Sequence, residues 1–458
     1  MLARSRIRAR EGFIATRWVC ALVLTAMLTS VPRVASAVPS FANQTGLPCA
    51  QCHVTAFGPA LTEYGRQFKL NAYTFQRTDG GLKIPLAATV VAAYDSPSKS
   101  APTPAPFSDS EDFVVQDASL FLAGRLADHF GAFLKGTYDG VGKNAAWDNM
   151  DLRYARTLQL SGHAVVAGID LNNDPTVQDL WNSTPVWSFP YVVSELVPTP
   201  SAGPLIRGLL AQSVLGASGY AMIDNRLYLE LGAYRGVSAK WLADLGDAGG
   251  STHLSGAAPY GRATLQHQWG SHYFAVGAFG LGVTQRPYGT TSDSDRYNDY
   301  GLDSTYQFTD GGQHSVDVHL TWIHEDRDLD ASFATEHSAA IANNLDTVLA
   351  DLSYAIRQTW VASAGVFDTN GSTNRVLFAP APVFGSASGS PASRGYTLQL
   401  ECVPFGKADS FASPWVNVRV GLQYIGYLRF NGGSSNYDGF GRTASDNNSL
   451  FAFIWLAI

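Results

Sequence analysis

From about residue 83 to the end of the chain, apolar and polar residues alternate in segment after segment. In Val416-Asn417-Val418-Arg419-Val420-Gly421-Leu422-Gln423-Tyr424 every even position is apolar and every odd one is polar or Gly. Leu227, Leu229, Leu231 and Ala233 interleave with Arg226, Tyr228, Glu230 and Gly232. Val316, Val318, Leu320 and Trp322 do so with Ser315, Asp317, His319 and Thr321, and Leu398, Leu400 and Cys402 with Thr397, Gln399 and Glu401. A period of two places one set on each face of a β-strand. About sixteen such segments are expected, centred near residues 89, 119, 134, 154, 166, 215, 230, 264, 277, 303, 319, 351, 364, 400, 420 and 452.

The connectors alternate too. Short ones fall near Asp128, Ser161, Asp224, Gly270, Gly311 and Gln358. Long ones run roughly over 96–111, 139–148, 172–207, 236–258, 286–297, 326–343, 369–394 and 431–446. Tight turns at one rim and long loops at the other are the pattern of an up-and-down outer-membrane barrel with an even strand number. One connector departs from it, since residues 404–413 are longer than a tight turn. A soluble sandwich also alternates, but about sixteen strands would need two domains and a linker, and neither a linker nor a fixed-period repeat is visible. A closed barrel removes the exposed edges of such strands, and one of this size encloses an aqueous lumen or a plug. Tyr, Trp and Phe on the outer face suit interfacial girdles. The last segment, Leu450 to Ile458, is aromatic but ends on Ile458 rather than an aromatic residue. The expected fold is all-β: a porin-like antiparallel transmembrane barrel over residues 81–458.

The start of the chain reads differently. Residues 1–37 have the form of a secretory signal peptide. Arg4, Arg6, Arg8 and Arg10 precede a 14-residue apolar stretch, Trp18 to Val31, and Ala35-Ser36-Ala37 is a small-residue cleavage site. The leader carries six of the 31 basic residues and one of the 38 acidic ones, so the remainder has 25 and 37, a net of −12. That balance excludes nucleic acid as a partner and suits cations. Of the four cysteines, Cys20 lies in the leader, leaving Cys49, Cys52 and Cys402.

Two of those three share one pentapeptide, Cys49-Ala50-Gln51-Cys52-His53, which is the C-x-x-C-H signal for c-type haem. The two thiols of such a motif reach the two vinyl groups of one porphyrin, and the adjoining imidazole becomes the proximal ligand of the iron. An exported chain is the right context, because this haem is attached outside the cytoplasm. A zinc site would need four ligands, and no further Cys or His of the mature chain lies within 70 residues. A thioredoxin-like C-x-x-C belongs in a βαβ unit, which is not visible, and a structural disulfide would leave His53 unexplained. Residues 38–80 are therefore expected to be a small α-helical segment carrying one covalent haem c on Cys49, Cys52 and His53. One helix is expected near Pro59 to Leu70, with Leu61, Tyr64 and Phe68 on a shared face. No Met and no second His occurs between Val38 and Leu82, so the distal ligand is unassigned. His319, expected to face the lumen beside Asp317 and Thr321, is one candidate.

Ser40-Phe41-Ala42-Asn43-Gln44-Thr45-Gly46-Leu47-Pro48-Cys49 through His53 resembles the start of the fused cytochrome–porins of iron-oxidising bacteria. Tyr64-Gly65-Arg66-Gln67-Phe68-Lys69 is similar to their F-G-x-x-F-K element, and Asn43 stands where their F-A-R-Q-T-G has Arg. The specific resemblance covers about residues 39–75, and beyond that it is architectural. It implies one c-type haem at the periplasmic end of the barrel or inside it. It also implies an oxidoreductase role, with electrons taken from an extracellular donor, above all Fe(II), and passed to a periplasmic cytochrome or cupredoxin. Two other functions remain open: a diffusion porin with a haem-bearing plug or sensor, and a conduit for a donor other than iron. Ser292-Asp293-Ser294-Asp295 and Glu325-Asp326-Arg327-Asp328 are expected in outer loops, where carboxylates concentrate cations. The loop Trp181 to Trp187 either folds into the lumen or packs on the rim.

Overall fold

The computed structural model describes residues 39–76, 85–246, 253–287, 293–407, 409–413 and 415–458. The leader, the junction at residue 80 and Ser292 lie outside the described residues. Three short helices come first: α1 (Pro39–Thr45), α2 (Cys49–Cys52) and α3 (Glu63–Leu70). Sixteen spanning strands follow. They are β1 (Leu86–Pro97), β2 (Asp112–Ala127), β3 (Phe130–Asp139), β4 (Asn144–Leu160), β5 (His163–Asn172), β6 (Val214–Ile223), β7 (Leu227–Gly236) and β8 (Ala258–Trp269). The second half comprises β9 (His272–Arg286), β10 (Asp295–Asp310), β11 (His314–Asp328), β12 (Ala342–Ile356), β13 (Trp360–Gly371), β14 (Ser393–Cys402), β15 (Asn417–Arg429) and β16 (Ser449–Ala457). A two-residue pairing, His253–Leu254, extends one edge of β9.

Each strand pairs antiparallel with the next, and β1 closes on β16 from Thr89↔Ala457 to Pro97↔Ser449. All sixteen expected segment centres fall within these strands. At 9 to 17 residues, each is long enough to cross a bilayer at the usual tilt. Among the described residues no helix is long and apolar enough to cross one.

The burial pattern shows which solvent the barrel meets. Leu231 is 76% exposed, Leu120 71% and Leu400 64%, while Glu230 and Arg419 inside are each 1% exposed. The alternating segments thus turn their apolar set outward and their polar set inward. In water such a surface would be a single exposed hydrophobic belt. In lipid it is the apolar band of an outer-membrane barrel, and that is where this chain resides.

Six hairpins at one rim turn in two or three residues. At Asp224-Asn225 both central residues have positive φ, 50° and 53°, the turn geometry that suits strand twist and that Asp and Asn tolerate. The opposite rim carries the long loops. One expected loop, 139–148, is a four-residue turn instead, because Asp139 Oδ1 accepts from Val141 N and Gly142 N at 2.8 Å and closes the hairpin locally. The irregular connector at the short-turn rim runs from 403 to 416.

Two segments fill the lumen. The N-terminal helices occupy the short-turn end: Arg125 N donates to Gln44 Oε1 (2.8 Å), Tyr73 Oη to Asp151 Oδ2 (2.6 Å) and Gln67 Nε2 to Asn225 Oδ1 (2.6 Å). The connector between β5 and β6 folds inward from the other rim. Its Leu205 N donates to Glu325 Oε2 and its Ile206 N to Asp299 Oδ2, each at 2.6 Å, and Gln423 Nε2 holds Val192 O at 2.9 Å. Trp181 is buried, its indole N–H donating to Tyr273 Oη, so this loop enters the lumen rather than resting on the rim.

Candidate functional site

Cys49, Cys52 and His53 share one turn. Pro48 enters it in extended conformation, and His53 N–H donates to Cys49 O at 2.9 Å. Helix α3 lies directly against this turn. Thr62 caps its start, accepting from Gly65 N at 3.2 Å and donating to Gln51 O at 2.6 Å. A Cβ on Gly65 would come within 2.3 Å of Cys52 O, so only glycine lets α3 sit this close. The irregular 403–416 connector passes on the other side, where Ala50 N donates to Gly406 O at 3.1 Å. Its extra length serves to reach the motif.

The motif opens on a cavity of about 530 Å³, within the size range of cofactor sites. Its walls include Phe57, Phe68, Phe121, Phe133, Trp187 and Trp455, drawn from the N-terminal segment, the barrel wall and the inward loop. Phe57 meets Trp455 edge-on at 5.0 Å between centroids. Leu61 lines the cavity with Phe68, whereas Tyr64 turns toward Phe75. Polar atoms reach the cavity from Lys69, Lys135, Asn182, Tyr191, Arg207 and Asn417.

These residues suit a c-type haem. His53 lines the cavity with its Nδ1 buried and the Gly58 and Ala60 backbone groups beside its ring. Burial, reinforced by the Arg419 charge, lowers the imidazole pKa to about 4, so it is neutral at pH 7, the ligating form. Burial also raises both thiols, Cys52 to about 12 with the neighbouring Cys49 adding to the effect. Both are free. Lys69, Lys135 and Arg207 bring positive charge, and Asp117 negative charge, to a cavity that is otherwise mostly aromatic and aliphatic. Among the described lining residues His53 is the only His, and there is no Met.

Lys69 joins the two lumen segments. Its ammonium donates to Val177 O (2.8 Å), Asp179 O (2.6 Å) and Asn182 Oδ1 (3.0 Å) of the inward loop. Burial, with Arg153 nearby, lowers its pKa to about 7. Asn182 Nδ2 returns a bond to Pro59 O at 2.6 Å. Arg66, on the same helix, donates to Leu61 O and Gln307 Oε1 and lies 3.6 Å from the Tyr273 ring centroid.

Other sequence candidates lie elsewhere. His319 does face inward, bonded to Asp351 Oδ2 at 3.2 Å, but it is not among the cavity-lining residues. Cys402 closes β14 on the outward-facing set. Glu325 is on β11, not in a loop, and is engaged with Arg327 and Leu205 N. Asp295 holds Ser332 N at 3.0 Å. Among the described residues no three His, Cys, Asp or Glu groups converge as a metal site.

The chain is thus an outer-membrane β-barrel of porin-like architecture whose lumen is occupied by its own N-terminal segment and one inward loop. No family model matches the sequence, and no curated protein does. Solved structures with similar barrels include OprB of Pseudomonas putida, at 13% identity and TM-score 0.47 over 81% of this chain and 93% of that one. The anion-selective porin of Comamonas acidovorans is similar at 11% and 0.45, over 81% and 98%. The outer membrane channel DcaP of Acinetobacter baumannii is similar at 10% and 0.40, over 81% and 96%. At these values the likeness restates the barrel and says nothing of what passes through it.

Proposed function

We propose that this protein carries electrons across the outer membrane, taking them from an extracellular donor, Fe(II) foremost, and delivering them to a periplasmic carrier such as a cytochrome or cupredoxin. The observation that carries the reading is the C-x-x-C-H turn opening on an aromatic-walled cavity inside a closed barrel. The resemblance of residues 39–75 to the fused cytochrome–porins supports it. Cys49 and Cys52 would form the thioethers, His53 would supply the proximal nitrogen, and Arg207 would help balance the propionates. One-electron carriage is the chemistry that haem c supplies when bound: Fe(II) outside gives up one electron, and the periplasmic carrier gains it. The chain's own contribution is to anchor the group, exclude lipid and solvent from it, and hold it between the two faces of an insulating bilayer.

The porin reading has its own observation, since sixteen strands enclose a lumen of porin width. Proteoliposomes enclosing a redox dye separate the two. With the protein present, external Fe(II) should reduce the haem and then the dye. A haem that Fe(II) never reduces refutes the iron donor. Large single-channel conductance in a planar bilayer, with no dye reduction, favours the porin.

A further inference from the structure

Antiparallel register places side chains directly opposite one another on the same face, with Cβ atoms about 4.5–5.5 Å apart, and like charges so placed repel. On the lumen face of β1–β3 this happens twice. Asp95 pairs with Asp112, and Asp117 pairs with Asp139. A bulge between Val91 and Ala92 of β1 shifts the register there, so that Gln116 and Asp117, though adjacent, both point inward. From the inward loop Glu195, which keeps an exposed edge, joins them: partial desolvation, with the charges of Asp139 and Asp117, a hydrogen bond to Asp139 and the charge of Asp95, raises its pKa to about 7. Five carboxylates therefore line one strip of the lumen.

Positive charge offsets the strip only in part. Lys135 acts on Asp117 but is shared with Asp148, to which it is paired at 2.6 Å. Asp112 accepts from Ser108 N, and Asp139 has one oxygen in its turn and shares a side-chain hydrogen bond with Glu195. Asp95 is the clearest case. It is 2% exposed, and neither of its oxygens accepts a hydrogen bond, the Ser194 hydroxyl approaching without reaching bonding geometry. A carboxylate buried in this way without a partner is costly, and cross-strand like-charge pairs add to the cost. A cation offsets both.

The strip also leads somewhere. Asp95 and Asp112 lie at the long-loop ends of β1 and β2, and Asp117 lines the cavity beside His53 and Phe133. Five residues of strand, shortened by the bulge, span roughly 15 Å. We infer that Asp95, Asp112, Asp139, Glu195 and Asp117 form a path by which divalent cations, exchanging water for carboxylate oxygens, pass from the outer rim to the cavity. Oxygen-only ligands select hard cations, and paired carboxylates favour charge two over charge one. The absence of a converging triad among the described residues makes it a path of paired contacts and not a chelating cage. As a route for Fe(II) to a redox centre, the path rests on the haem reading; as a cation path, it does not.

Mn²⁺ tests it, because uptake can be followed by the paramagnetic signal of the free ion and needs no haem. The full-length protein in detergent is titrated beside D95N/D112N and D117N/D139N, with folding checked by heat-modifiable gel migration. Saturable uptake by the wild type, weakened at least tenfold in both double variants, is expected. Uptake that does not saturate, or equal affinity in all three, overturns the path. If a double variant does not fold, E195Q, altered only in the loop, replaces it and should weaken uptake at least threefold; unchanged affinity there is equally fatal. An alkaline pyridine spectrum of the same sample reads the haem independently, so Mn²⁺ uptake without haem sinks the haem reading alone.

Discussion

Replacing Lys69 by Met should free the inward loop from the N-terminal segment. The ammonium donates to three acceptors in the loop, and the loss of each can be weighed separately. Val177 O keeps a second donor, Trp187 Nε1, at 3.0 Å, so it stays satisfied. Asp179 O and Asn182 Oδ1 lose the ammonium inside a closed lumen, at about 1–3 kcal/mol each. Part of that is recovered, because the methionine no longer has to bury a charge whose pKa is already lowered to about 7. The balance is about 3 kcal/mol, or about 150-fold in the local opening equilibrium of the loop.

Hydrogen–deuterium exchange with mass-spectrometric readout, on protein folded in detergent, measures that equilibrium directly. Amides of residues 176–184 should lose about 150-fold in protection, while those of β12 and β13 should not change. Lys69→Gln keeps two N–H donors and should fall between. If protection of residues 176–184 drops less than about threefold in the Met variant, Lys69 is not the link between the two lumen segments.

Four further outcomes follow from the same geometry. C49S/C52S should yield a folded barrel without covalent haem, and H53A should keep covalent haem but lose the normal low-spin spectrum; an unaltered spectrum in H53A contradicts the ligand assignment. Gly65→Val should push α3 off the motif, because its Cβ meets Cys52 O at 2.3 Å, and should raise protease cleavage within residues 61–72 several-fold; resistance equal to wild type would show that the close approach is not real. Leu231→Arg puts a charge on the lipid face and should cost about 2–4 kcal/mol if near the midplane, read as a lower midpoint in denaturant unfolding from lipid vesicles. Mn²⁺ affinity should rise from pH 6 to pH 8, because Glu195, with a pKa of about 7 among Asp139, Asp117 and Asp95, gives up its proton across that window; E195Q should flatten the profile.

The barrel was legible because lipid and lumen impose a two-residue period on every strand, and Leu227–Gly236 or Asn417–Arg429 shows it without help from any other part of the chain. Turn chemistry such as Asp224-Asn225 marked the hairpins, whereas the Asp139 turn was read as a loop because its closure depends on a side chain accepting from two later backbone groups. The C-x-x-C-H motif was visible as a pentapeptide. Its cavity was not, since Phe57, Phe133, Trp187 and Trp455 meet only once the barrel has closed. The acidic strip was hidden for the same reason. Asp95 and Asp112 flank a loop in sequence, and only the register, bulge included, sets them face to face.

The N-terminal segment illustrates how such a lumen is built. Helices of 7, 4 and 8 residues are too short to persist alone in water. Their apolar faces are completed by the barrel: Phe41 stacks on Phe133, Phe57 meets Trp455 edge-on, and Tyr73 finds Asp151, itself held by Arg153 Nε at 2.8 Å. Arg66 and Lys69, both buried, find their acceptors on β10 and the inward loop rather than within α3. The segment therefore gains its structure as the barrel closes around it, and before closure Cys49, Cys52 and His53 sit on an open chain. On the haem reading, an open chain favours attachment of a flat macrocycle, because in the finished barrel the inward loop packs over the cavity and the 403–416 connector bonds to the motif through Gly406 O. If the motif carries haem as proposed, attachment first and closure second is thus the order this architecture favours.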